Sequence, residues 1–415
     1  MRRKLIVAAM LAVTAVAGAV PAVADTAQPR VVSANPVDFT PQVQNGTVYA
    51  LALVGRTVIV GGDFTQVADA TERSWYPRRS LFAYDLFTGA LTGFAPQLAG
   101  TVLALAAGPD NTVYVGGDFV GVNGVRQAGV TRLDVGTGQR VAGFTASINN
   151  GDVRTLAYSR GWLYLGGVFS RLNGQAQVGL ARVNATSGAL DTGFNLNLTA
   201  PSARYAKVVG LAVSPDGTKL AAIGAIEYAN GWRRPQFLLA DLVTGTLADW
   251  YTDAYAQNCY GAFDTYLRGV DFSPGGDYLV VVGTGRLSGA DRMCDTAARF
   301  ETGGTGMHHP TWVNHTGGNS LFAVDVTGSA VYVGGHEQWL DNPYGDKTAG
   351  PGAAYRPGIG AIDPVGGHAL PWNPTRERGV GVQAFLSTPA GLIVGSDTEE
   401  LGHEHHARLG MFPPA

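Results

Sequence analysis

Short apolar runs separated by polar turns recur along this chain at intervals of about 50 residues. The runs 48–53, 102–106, 153–158, 208–213, 270–272, 321–324 and 382–386 are rich in β-branched, aromatic and aliphatic residues. That content, over so few residues, predicts strands and not helices. A second run follows each of the first three: Val58-Ile-Val-Gly-Gly-Asp-Phe64, Val113-Tyr-Val-Gly-Gly-Asp-Phe119 and Leu163-Tyr-Leu-Gly-Gly-Val-Phe169. Then come a polar loop and a third strand, as in Gly129-Val-Thr-Arg-Leu-Asp134. A Thr-Gly or Ser-Gly turn leads to Phe94, Phe144 and Phe194, spaced 50 residues apart. Later copies are looser, with Trp250, Trp312 and Trp372 in the matching places.

Repetition at this period predicts an array of small sheets. Phe39-Thr-Pro-Gln-Val43 reads like Phe94-Ala-Pro-Gln-Leu98, the end of a repeat standing before the first full one, while the last copy stops without its outer strand. The expected fold is therefore all-β, a seven-bladed β-propeller closed by the N-terminal strand joining the last blade. A closed ring leaves no long exposed edge, and an open solenoid would not need a split repeat.

The Val-Gly-Gly-Asp-Phe, Arg-Leu-Asp and Thr-Gly…Phe pattern resembles the delta-sixty-repeat propellers, common among exported actinobacterial proteins. The resemblance spans residues 31–415 and implies a fold without implying an activity. Ile223-Gly-Ala-Ile226 and Val282-Gly-Thr-Gly285 depart from it, so whatever the aspartates do, only some repeats do it.

The N-terminus bears on location. Arg2, Arg3 and Lys4 precede an apolar run ending at Ala22-Val23-Ala24, the pattern of a cleaved signal peptide over 1–24. A short linker over 25–30 then leads into a single propeller domain over 31–415, expected to be secreted and to lack any membrane span after cleavage. Only 15% of residues are charged, the net charge is −3, and there are 58 glycines. Glycine suits tight turns, and the absence of a basic cluster excludes nucleic acid as a partner. Cys259 and Cys294, the two cysteines of an exported chain, are expected to form a disulfide.

Candidate chemistry gathers on one face, where loops between second and third strands and loops leading into inner strands both emerge. Trp75, Tyr76, Arg78, Trp232, Arg233, Tyr266, Arg268, Trp339 and Asp341 offer rings and hydrogen-bonding groups suited to a sugar or another polar ligand. His403, His405 and Glu399 are candidate ligands for a divalent metal. Asp63, Asp118, His336 and Asp397 share one position at the end of the second strand, an arc able to do general acid–base work. Two functions follow: binding of a glycan, cell-wall component or other polar ligand, with a protein as the other possible partner, or a hydrolase or lyase at the mouth of the central channel. The chain is expected to act as a monomer.

Overall fold

The computed structural model describes residues 26–257, 259, 261, 263–377 and 379–415, so the expected signal peptide lies outside the described residues. Among the described residues there is no α-helix, and hence no helix long and apolar enough to cross a membrane. The strands are two to eight residues long and fall into small sheets, antiparallel but for one parallel pair of Trp250–Tyr251 with Gly306–Met307.

The first full repeat shows why. Val48–Val54 turns at Gly55, where φ is +61° and a side chain would be strained, and returns as Thr57–Gly62. Leu81–Asp85 pairs with the far side of that second strand. Nearly every residue of the three is buried, because the sheet is packed on both faces. The same inner, second and third strands recur beginning at Val102, Asp152, Lys207, Leu267, Leu321 and Ala384. The inner strands of these seven sheets bear on the next in turn, and the core is divided accordingly. Val54, Ile59 and Val102 share one cluster, Tyr114, Val153 and Leu165 the next. The cluster holding Val48 and Val58 also holds Ile393, Leu409 and Met411 from the last repeat.

The Gly-Gly pairs make this contact possible. A Cβ on Gly61 would collide with Val102 of the following inner strand, and one on Gly62 would lie 2.0 Å from the Thr47 carbonyl oxygen. The first glycine lets neighbouring sheets meet, and the second lets the lead-in loop cross over its own sheet.

The outer strand is slighter than the repeat pattern predicts. Two sheets have a regular fourth strand, Thr246–Leu247 and Trp312–His315. In four others it is reduced to one bridge, such as Tyr84 with Leu91 and Leu133 with Arg140. The Thr-Gly turn, with Asp85 or Asp134 accepting from its backbone amides, bends the chain away after one pair. At the end of the chain the N-terminal segment supplies backbone partners: Val37 N donates to Met411 O and Ser33 N to Pro413 O.

Candidate functional site

Six of the seven inner strands begin with an irregularity of the same kind. Pairing jumps from Val48 to Ala50, from Val102 to Ala104, from Val153 to Thr155, from Val208 to Gly210, from Leu267 to Gly269 and from Leu321 to Ala323. The skipped residue is a β-bulge, whose side chain is re-aimed away from the packed faces. Tyr49, Leu103, Arg154, Val209, Arg268 and Phe322 are these residues, and Gln383 holds the equivalent place in the last repeat. All seven line one open cavity of ≈ 550 Å³, together with Lys207, Phe263, Asp264 and Thr265.

Two steps further along each strand, Leu51, Leu105, Leu156, Leu211, Val270, Val324 and Phe385 line a second cavity of ≈ 510 Å³ toward the opposite face. The first cavity is thus a polar mouth standing on an apolar collar.

The mouth is not uniform in charge. Arg154 pairs with both oxygens of Asp152 at 2.9 and 3.1 Å, and Lys207 Nζ lies 2.9 Å from Asp264. Arg268 donates through Nη1 to the carbonyls of Thr265 and Leu267, and its guanidinium lies 5.5 Å from the Phe263 ring centroid. Burial, and then the nearby Arg154 charge, lower its affinity for its proton. On the other side, burial raises the Tyr49 phenol above its ordinary value, with Asp63 and Asp397 adding to the effect. Tyr49 is therefore a neutral hydroxyl, and the cations stand on the third, fourth and fifth repeats.

Residues 108–135 and 161–194 match a family described as a domain of unknown function (DUF5122) beta-propeller. The chain carries a β-propeller domain. No curated protein matches it. Among solved structures, the computationally designed Ika8 protein is similar over 92% of this chain and 99% of its own, at 12% identity and a TM-score of 0.47.

Within the propeller, the other residues singled out above are scattered. Trp75, Tyr76 and Arg78 lie on or beside one exposed hairpin, with Arg78 stacked over Tyr76 at 5.5 Å. Trp232, 69% exposed, and Arg233 lie on another hairpin three repeats away. Trp339 and Asp341 belong to the sixth repeat, where Asp341 accepts from Asn314 Nδ2 and from Ala369 N and so ties loops together. Only Arg268 faces the mouth. Tyr266, expected at a binding surface, is 3% exposed: its ring packs with Tyr255, and its hydroxyl donates to the Gln257 carbonyl. Its lead-in loop folds down onto the aromatic cluster of Phe237, Trp250 and Phe300, which draws the ring inside.

The acid–base arc is engaged with backbone. Asp63 accepts from Thr47 N and Asp118 from Thr101 N, each at 2.6 Å. Asp397 accepts from Val380 N and Gly381 N, and His336 Nδ1 lies 2.8 Å from Gly379 O. These groups pin the loops leading into the inner strands to the ends of the second strands. In the third repeat, where Val168 replaces the aspartate, Asp152 on the facing strand accepts from Val168 N instead.

The three residues expected to hold a metal point to separate partners. His403 meets Thr375 Oγ1, His405 Nε2 pairs with Glu72 at 2.8 Å, and Glu399 faces Arg408. Among the described residues no three His, Cys, Asp or Glu side chains converge to hold a cation. Cys259 and Cys294 form the expected disulfide, with Cα atoms 5.8 Å apart.

Sequence reasoning missed most of the mouth. Its signal was present as a three-residue phrase, large apolar, any residue, then small: Val48-Tyr-Ala50, Val153-Arg-Thr155, Leu267-Arg-Gly269 and Val382-Gln-Ala384. The middle position varies freely in polarity because it faces open space.

Proposed function

We propose that this chain is a secreted, closed seven-bladed propeller of the delta-sixty-repeat kind that binds a small polar ligand, most simply a sugar, in the channel mouth. The observation that carries the reading is that one residue from the start of every inner strand, a bulge residue in six of the seven, lines a single open cavity. A rigid ring presenting variable side chains at one point is well suited to recognition. Closure is supported by the core cluster shared between the first and last repeats and by the N-terminal backbone bonds to 411 and 413. Export is supported by the run over 1–24 and by the disulfide.

Tyr49, Phe263 and Phe322 supply aromatic faces at the mouth, and the cations and Gln383 supply hydrogen bonds. The test is a thermal-shift screen of the mature protein against soluble mono- and oligosaccharides, because a ligand of the native state must raise its melting point. A sugar that stabilises the protein, and whose affinity falls about ten-fold in Phe322→Ala but not in Trp232→Ala, supports the mouth. Loss in Trp232→Ala instead would move binding to the outer hairpins, and a screen without any shift would overturn the reading.

A further inference from the structure

We propose that the sugar taken by the mouth is acidic, a uronate-type saccharide whose carboxylate docks on Arg268. This rests on the reading of the mouth as a ligand site and specifies its chemistry.

Three cations face the cavity, Arg154, Lys207 and Arg268, and two of them are neutralised by Asp152 and Asp264. Among the described residues Arg268 has no carboxylate within ion-pair distance. Two backbone carbonyls hold it through Nη1, which fixes the plane of the fork. A half-buried guanidinium fixed in this way is a ready partner for an anion, since little side-chain freedom remains to be lost when the anion binds. Burial and the Arg154 charge both disfavour the bare cation there, and an arriving carboxylate relieves both effects. Asp295 is the acid whose charge Arg268 senses. Burial lifts its carboxyl to about 7, so much of it is neutral at ordinary pH and leaves Arg268 uncompensated.

On the side of the mouth that holds Arg268 the excess is one positive charge, since Arg154 and Lys207 are paired and Asp63 and Asp397 stand beside Tyr49, and this suits a monoanion. A phosphate monoester carries roughly −1.5 to −2 at pH 7 and would meet Asp152 and Asp264 as well. Phe263 lies directly beside the guanidinium and Phe322 lines the same cavity, so a sugar ring can stack while its carboxylate reaches the fork. Aromatic faces would be wasted on a bare inorganic anion.

The experiment is calorimetric titration of the mature protein with methyl galacturonoside as its free acid, a monoanionic sugar, with the same sugar as its methyl ester, and with inorganic phosphate. The acid is expected to bind at least ten-fold more tightly than the ester. Arg268→Gln should lower affinity for the acid about ten-fold, leave the ester unchanged and keep a cooperative melt. If Arg268→Gln does not fold, Arg268→Lys tests the same point, because it retains the charge and loses the bidentate fork. Acid and ester binding alike, with neither altered by the variant, would overturn the acidic ligand and leave the mouth as a sugar site. Phosphate binding as tightly as the acid and displacing it would overturn the sugar assignment. If no saccharide binds at millimolar concentration, the acidic-sugar inference falls, and the broader screen decides the reading beneath it.

Discussion

Gly395 of the last repeat faces Val48 of the first so closely that a Cβ on the glycine would stand 2.5 Å from Val48 Cγ1. The same relationship joins Gly116 to Val153 and Gly334 to Val382. The contact between the chain's two ends is therefore built like the contacts between successive repeats.

Gly395→Ala should destabilise the protein by about 1–3 kcal/mol, since the added methyl has to push one sheet from the next. Gly143→Ala, where a Cβ would meet nothing within 4 Å, is the control. Chemical denaturation of both variants checks this. An unperturbed midpoint for Gly395→Ala would show that the two ends are not packed together.

The disulfide closes a loop of 35 residues, and on the chain-entropy model it contributes about 4 kcal/mol. A Cys259→Ala/Cys294→Ala double variant should melt about 5 °C lower, given the unfolding entropy expected of a domain this large. Differential scanning calorimetry under oxidising conditions measures it, and parent protein melted with reductant should show the same drop.

Glu337 occupies the place held by Phe64 and Phe119 in earlier repeats, is 0% exposed, and neither of its carboxyl oxygens has a hydrogen-bond partner among the described residues. Burial raises its pKa to about 8, only partly opposed by its own backbone amide and then by the Arg376 charge. The folded state thus holds a proton that the unfolded chain releases near pH 4.5. That contribution to stability is full below pH 4.5 and is lost as pH rises toward 8. Glu337→Gln, which stays neutral, should out-melt the parent by a margin that grows from pH 5 to pH 8.5, on the order of 1–3 kcal/mol at the upper end. Melts across that range should diverge; parallel curves would mean that the carboxyl titrates normally.

Asp397 accepts from two consecutive amides, and Asn offers one acceptor where two are needed. Asp397→Asn should cost about 1–2 kcal/mol and loosen the loop before Ala384. Faster hydrogen exchange at Val380 and Gly381 is the readout, with binding of sugar at the mouth retained. Abolished ligand turnover in this variant, with the fold intact, would instead give Asp397 a chemical role.

Much of the fold was legible because each repeat announces itself locally. Apolar runs of strand length, the Gly-Gly pair and the Thr-Gly turn are short-range signals, and the strands, the inter-sheet contact and the turn follow from them. The outer strand was over-read, because the Asp85 and Asp134 turns leave room for a single bridge. The candidate site was far less legible. Trp75, Trp232 and Trp339 stood out by residue type, yet a tryptophan's type does not say whether it lies on an outer hairpin or at a shared mouth. Tyr266 and Arg268 are two residues apart in one lead-in segment, and the structure buries one and opens the other.

By itself the sequence determined the all-β character, the repeating sheet and the pairing of Cys259 with Cys294. Only the tertiary structure decided which side chains meet. Arg154, Arg268 and Tyr49 come from different repeats, more than a hundred residues apart at the extremes, and no local pattern couples them. They share a cavity because a bulge at the start of each of their inner strands turns one side chain out of the packed faces, and the arrangement of sheets brings those side chains together.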